Sequence, residues 1–217
     1  MRVTEAQWIA KELARIPREE LSPVVNIGSS THEFRTKRQP HIDELIFAPL
    51  RAAKVEVIHA DLKQEPGVDL AGDLLLESTQ RAISERKPRT IVCSNLLEHL
   101  TDRPAFARAM AKLLPSGGVA IVTVPRSYPF HADPIDTGYR PSPDEIAMLF
   151  PSSTLVRGEI VDDITYAAEL QQKGVRRAVK SVVGAARPWG NAAKAQRDRL
   201  RWLFKPFTTS CVVLRMN

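Results

Sequence analysis

The chain of 217 residues is short of cysteine, with only Cys93 and Cys211. Both sit inside apolar, strand-like runs, which argues for buried thiols rather than a disulfide and for a reducing cytoplasm. No run approaches the ~20 consecutive apolar residues that span a bilayer. The opening stretch, MRVTEAQWIAKELARIP, reads as a polar amphipathic helix without the apolar centre of a secretory signal. There is no internal repeat and no low-complexity tract. The dinucleotide fingerprint G-x-G-x-x-G is missing: only Gly28 follows the first strand, and Ser30 occupies the second glycine position. A Gly-Lys-Ser/Thr phosphate loop is missing too. Both absences argue against a cofactor held by a phosphate cradle.

What is present is an ordinary globular composition, 43% hydrophobic and 26% charged, with room for one full core and an appended subdomain. The clearest organising stretch is Ile91–Arg140. Two short β-branched runs, Ile91–Cys93 and Val119–Val124, flank an amphipathic helix carrying Phe106, Met110, Leu113 and Leu114. Pro115-Ser116-Gly117-Gly118 turns the chain back, so the stretch reads as a βαβ unit.

Earlier in the chain, Thr4 is placed to cap a helix running to about Ile16, followed by a strand over Leu21–Ile27. A polar, basic loop precedes a helix from about His41 to Ala53, and Lys54–Ile58 forms a second strand closing on His59-Ala60-Asp61. Val68–Leu70 is a short edge-like strand, Leu74–Arg86 a helix, and Glu98-His99 the opening of the helix after the fourth strand. Ser142-Pro143-Asp144-Glu145 has the composition of a helix start. Ser153–Val161 reads as a sixth strand, Ile164–Val183 and Asn191–Phe204 as helices, and Thr208–Met216 as a last strand. Strands alternating with helices predict a Rossmann-like, mostly parallel α/β sheet with helices on both faces. The expected division is a core over 1–162, a helical insertion over 163–206 and a returning strand over 207–217.

The net charge of +6 is unevenly spread, because Gln171–Phe207 holds ten basic residues against the single acid Asp198. A solvated helical face is the default reading of such a run. A membrane-surface patch over 171–206 is the second reading, with Val175, Val179, Val182 and Val183 against lipid. A nucleic-acid footprint stacking bases on Trp189, Trp202 and Phe204 ranks third, because no nucleic-acid module accompanies the charge.

In open α/β sheets ligands bind beyond the carboxyl ends of the strands, and each strand here ends in a polar or acidic residue: Asn26, Asp61, Asp73, Asn95. A carboxylate after the second strand suits a ribose diol, and Asp73 suits an exocyclic amine such as that of adenine. A nucleoside cofactor without a pyrophosphate satisfies this pattern.

These residues resemble those of the class I S-adenosylmethionine-dependent methyltransferases, in the type 11-like branch. The resemblance rests on Val24-Val25-Asn26-Ile27-Gly28-Ser29-Ser30, Asp61, Gly72-Asp73, Leu97-Glu98-His99-Leu100, Leu114-Pro115-Ser116-Gly117-Gly118 and Val124-Pro125. The stretch from Tyr128-Pro129-Phe130-His131 to Arg140-Pro141-Ser142 is similar to members that tailor glycans or natural products. The resemblance implies a seven-stranded sheet with an antiparallel last strand, and S-adenosylmethionine as cofactor. It implies cofactor contacts from Asn26, Gly28, Ser29, Ser30, Asp61, Asp73 and Asn95, and acceptor contacts from His99, Tyr128, Tyr139 and Arg140. Asn26 stands where the family carries an acid, Ser30 where it carries a glycine, and Arg89-Thr90 where an acid often opens the fourth strand.

His131, Asp133 and Asp136 follow the fifth strand. Methyl transfer to oxygen or nitrogen needs alignment and often a base, and His131 oriented by Asp133 or Asp136 has that chemistry. Two other readings stand beside it. One is a loop held by Asx-turns and an Asp–Arg140 pair; the other is a metal site, weak because a fourth ligand is missing. The expected function is transfer of a methyl group to a hydroxyl, or an amine, of a glycan, lipid-linked sugar or natural product. The alternative is a degenerate relative that docks on a partner through its basic C-terminal helices.

Overall fold

The computed structural model describes residues 1–130, 135–172, 200 and 202–217. Seven strands form one sheet in the order β3-β2-β1-β4-β5-β7-β6. They are β1 Val24–Ile27, β2 Val57–Asp61, β3 Leu70–Ala71, β4 Thr90–Ser94, β5 Val119–Ser127, β6 Ser153–Thr165 and β7 Pro206–Met216. The first five are parallel, and β7 runs antiparallel to both β5 and β6. The chain lays β2 and β3 on one side of β1 and then returns to place β4 on the other. The strand order thus reverses between β1 and β4, and in open α/β sheets ligands bind beyond the carboxyl ends of the strands at such a point.

Period-two alternation sorts the strand residues onto two cores. Val25, Ile27, Ile91, Cys93, Ala120, Val122 and Val124 face one layer, with Phe106 and Met110 from helix Arg103–Lys112 and with Ile146 and Phe150. Val24, Val92, Val119, Ile121 and Cys211 face the other, with Ala6, Ile9 and Leu13 from helix Val3–Leu13 and with Ile46, Phe47 and Leu50. Cys93 and Cys211 are free, buried and on opposite faces of the sheet.

The helices, in order, are α1 Val3–Leu13, α2 Arg18–Leu21, α3 Ala48–Ala52, α4 Glu77–Ser84, α5 Arg103–Lys112, α6 Pro143–Ala147 and α7 Tyr166–Gln172. Several bounds differ from those expected. Thr4 lies inside α1 and its hydroxyl donates to Asp163 at 2.8 Å, while Glu5 accepts from the Arg2 backbone N–H at the helix start. Residues Phe34–Arg38, expected as a solvated loop, form a wide π-type turn because Arg35 is drawn inside. A second π-type turn, Asp43–Phe47, leads into α3. Glu98 and His99 open no helix. They lie in a 3-10 turn, Leu97–His99, and α5 begins later, where the Asp102 side chain caps Ala105 N and Pro104 occupies the first turn. The helix start at Ser142 is as expected, with Ser142 and Glu145 capping each other's backbone N–H.

Strand β6 runs past 162 to Thr165, where it pairs with Pro206, so the helix expected from Ile164 begins at Tyr166. The rest of that expected helix lies outside the described residues, as does nearly all of Asn191–Phe204 and of the basic run. Among the described residues no helix is long and apolar enough to cross a membrane.

Candidate active site at the carboxyl edge of the sheet

The loop after β1 is closely packed at the carboxyl edge. Gly28 has φ 73°, and a Cβ added there would come within 3.0 Å of the Leu96 side chain. The backbone N–H groups of Gly28 and Ser29 both donate to Ala60 O, at 2.9 and 3.1 Å. Ser30 adopts φ 55°, the left-handed conformation that a glycine would take there, and its N–H donates to Asp61 Oδ2 at 2.7 Å. The loop therefore keeps its turn without the second glycine.

Beneath it lies Arg35, 2% exposed, whose guanidinium donates to Ser29 O at 2.9 Å, Ser30 O at 2.6 Å and Gly67 O at 2.7 Å. Burial pulls its pKa below the usual arginine value, partly offset by the fields of Asp43 and Asp69. The sequence held no cue for this role, because Arg35 is one of several basic residues in a polar stretch and its partners lie in other loops.

Asn26 is buried, and its side-chain amide lies 3.2 Å from Nδ1 of His59 on the neighbouring strand. His59 packs edge-on against Phe47, and burial, helped by the Arg35 charge, pushes its pKa down to about 4. The ring is neutral near pH 7 and can accept from Asn26. At the ends of β2 and β3, Asp61 also takes a long bond from Lys63 N at 3.4 Å, and Asp73 accepts from Leu75 N at 2.9 Å. Asp73 is exposed.

At the ends of β4 and β5, Asn95 and Glu98 are joined by a residue with no counterpart among the expectations. Glu5 of α1 is 1% exposed. Its Oε1 accepts from Thr123 Oγ1 at 2.6 Å and Asn95 Nδ2 at 2.7 Å, and Oε2 from Arg2 N at 3.1 Å. The Asn95 amide is thus turned to α1. One signal was present in the sequence: Glu5 and Glu12 share the face of α1 that buries Ile9 and Leu13, where charges are uncommon.

Glu98, in the turn after β4, is fully buried, and neither carboxyl oxygen accepts a hydrogen bond from another described residue. Burial pushes its pKa up to about 8. The Ser94 hydroxyl, at the end of β4, is buried and unpartnered among the described residues.

Of the residues expected at the acceptor, His131 and Asp133 lie outside the described residues. Asp136 makes the contacts of an Asx-turn and an ion pair: Oδ1 accepts from Gly138 N at 2.8 Å and from Arg140 at 3.1 Å, and Oδ2 accepts from Arg140 at 2.6 Å. This 135–140 loop is latched to the turn after β4. Thr137 donates to Glu98 O through its N–H at 2.9 Å and its hydroxyl at 2.8 Å, and His99 Nδ1 donates to Ile135 O. Arg103 donates to Leu97 O at 3.1 Å and Thr137 Oγ1 at 2.6 Å, with its guanidinium 4.1 Å from the centre of the Tyr139 ring. The Tyr128 ring lies 5.1 Å from that of Phe207. The structure thus brings His99, Asp136, Tyr139 and Arg140 together around Glu98 and Arg103, and Asn26, Ser29, Ser30 and Asp61 around Arg35 and His59.

A family model described as a methyltransferase domain matches residues 6–158. No curated protein matches the chain significantly in sequence. Among solved structures, the chain is similar to the [4+2]-cyclase SpnF at 14% identity and a TM-score of 0.54, over 97% of this chain and 80% of that one. It is similar to the MccD protein at 10% identity and 0.52, over 98% and 96%. It is also similar to a SAM-dependent methyltransferase from Archaeoglobus fulgidus at 11% identity and 0.50, over 97% and 94%. At these identities the likeness is one of fold. A cyclase among the neighbours shows that the fold alone does not set the reaction.

Proposed function

The chain belongs to the S-adenosylmethionine-dependent methyltransferases, and from that premise we propose that it methylates a hydroxyl, or an amine, of a glycan, lipid-linked sugar or natural product. The observation that carries the donor half of this reading is the loop after β1, which keeps a left-handed turn at both Gly28 and Ser30 and presents Ser30 to the Asp61 carboxylate.

The donor set suits the cofactor. Asp61 and Asp73 offer carboxylate oxygens to ribose hydroxyls and an adenine amine, while the Gly28–Ser30 backbone, the Ser94 hydroxyl and Asn95 line the way toward β4. Asn26 turns its amide to His59, and Ser30 holds the loop's shape, so neither replacement argues for a filled, non-catalytic cleft. When bound, the cofactor supplies an activated methyl group on a positively charged sulfur. The protein aligns the acceptor in line with it, and a base removes the acceptor's proton. His131, with Asp133 or Asp136, is the group we assign to that proton, on its chemistry and its position in the sequence after β5. Similarity of the stretch from Tyr128 to Ser142 to tailoring enzymes supports the acceptor class.

Calorimetric titration with S-adenosylmethionine tests the donor half, with micromolar binding expected. Absence of binding by folded protein overturns it. His131→Ala should lower turnover at least tenfold with little change in cofactor affinity, and unchanged turnover removes the base assignment.

A further inference from the structure

Two buried carboxyl groups, Glu5 and Glu98, lie at the carboxyl ends of β4 and β5, close enough for the field of one to reach the other. Glu5 has three neutral donors around it, and among the described residues no arginine, lysine or histidine pairs with it. Glu98 accepts no hydrogen bond from another described residue, and its nearest basic group is His99 Nε2 at 3.8 Å from Oε1. A carboxylate removed from water without a counter-charge is costly and persists where something supplies that charge or a proton. The groups whose fields reach Glu98 are Glu5 from α1 and Asp136 and Arg140 from the 135–140 loop, while the neutral Cys93 thiol of β4 feels the field of Glu98 in turn. Arg140 is already paired with Asp136, at 2.6 Å.

The sheet order says which ligand charge falls here. If Asp61 and Asp73 hold the nucleoside at the ends of β2 and β3, the next strand ends in the sheet are those of β1 and β4, and the rest of the cofactor would fall there. We propose that Glu5 and Glu98 form the counter-charge for the cofactor's sulfonium, and that Glu98 releases a proton when the positively charged donor binds. This rests on the cofactor reading above. Without ligand, Glu98 stays protonated at neutral pH because burial lifts its pKa to about 8 and Glu5 adds to the lift. A sulfonium beside it favours the ionised form, so its O–H breaks and the proton passes to solvent. After transfer the sulfur is a neutral thioether, and Glu98 takes a proton back as the counter-charge loses its partner. The pair thereby favours donor over product.

Calorimetry of the full chain in two buffers of different ionisation enthalpy at pH 7 counts the protons exchanged. Wild-type protein should release most of one proton with S-adenosylmethionine and clearly less with S-adenosylhomocysteine. Glu98→Gln should still bind the donor but lose that release. Any proton exchanged by the cofactor's own ammonium persists in the variant, so the difference isolates Glu98. If Glu98→Gln does not fold, two other arms apply. Glu5→Gln should shrink the release at pH 7, and wild type should lose its donor-specific release at pH 9, where Glu98 is already ionised. Equal proton counts for donor and product, or a count unchanged by these variants and by pH, overturn the inference. Normal binding without a Glu98-dependent proton overturns this inference alone, whereas no binding of either ligand overturns the cofactor reading with it.

Discussion

Arg35 makes the residue-scale case that the donor loop is held from beneath. Three carbonyls from two loops converge on one buried guanidinium, a geometry that a single lysine ammonium cannot reproduce at three points. Arg35→Met should cost about 3 kcal/mol in stability, given roughly 1.5–3 kcal/mol for a charged hydrogen bond and the carbonyls left unpaired. It should also weaken cofactor binding about tenfold, and Arg35→Lys should recover only part of either. Chemical denaturation and calorimetry read the two effects. Two other residues set the pH dependence of the protein without ligand, with opposite signs. His59 is depressed to about 4, so the unfolded chain binds its proton first and stability falls as pH drops from about 6.5 toward 4. Glu98 is raised to about 8, so the folded chain holds a proton that the unfolded chain has lost. Its contribution is complete below about 4.5 and declines as pH rises toward 8. Between about 6.5 and 8 only the Glu98 contribution of this pair changes. Melting temperature should fall across that window and stay nearly flat in Glu98→Gln; a wild-type profile as flat as the variant's contradicts the assignment.

At the scale of elements, the 135–140 loop and the turn after β4 behave as one unit because Arg103 ties them. Its guanidinium spans Leu97 O and Thr137 Oγ1 while covering the Tyr139 ring. Arg103→Ala should raise the acceptor KM roughly tenfold, equivalent to about 1.4 kcal/mol, and leave cofactor affinity unchanged. Arg103→Lys should not restore it, because stacking and the two-point reach need a planar fork. A change confined to cofactor affinity refutes the latch. The elements read best from sequence were those whose signals are local. The Ser142-x-x-Glu145 start is a capping box over four residues, and the βαβ unit from Ile91 to Val124 declares itself through short apolar runs and a glycine turn. The elements read poorly are set by distant partners. The turn over Phe34–Arg38 forms because Arg35 meets carbonyls at 29, 30 and 67, and the Asn95 amide turns to α1 because its acceptor, Glu5, lies ninety residues earlier. Polar residues at strand ends could be found by pattern; which neighbour each one bonds could not.

For the molecule as a whole, the decisive feature is the reversal of strand order at β1 and β4. The two halves of the parallel sheet grow outward from that boundary, and the loops lining it come from β1, β2 and β4, with α1 closing over the end of β4 through Glu5. Helix α1 is itself anchored far across the sheet, where Arg2 pairs with Asp163 at 2.8 Å and Glu169 at 3.0 Å and the Trp8 indole donates to Glu159 at 2.7 Å. A ligand seated at the reversal therefore touches elements that report on both halves. At one hundred times its dissociation constant, a ligand specific for the folded state adds about 2.7 kcal/mol. In a chain of this size that raises the melting temperature by roughly 5–11 °C. S-adenosylmethionine should produce that shift, and hydrogen exchange should slow together at residues 28–31, 61–63 and 95–99. It should not slow in the apolar groove of about 270 Å³ lined by Leu13, Leu21, Leu45, Pro49, Leu50 and Val55, since Leu21 and Val55 precede β1 and β2 at the opposite edge. Protection restricted to one of the three loops, or centred on the groove, would place the ligand elsewhere than at the reversal and remove the physical basis for reading Asp61 and Glu98 as parts of one site.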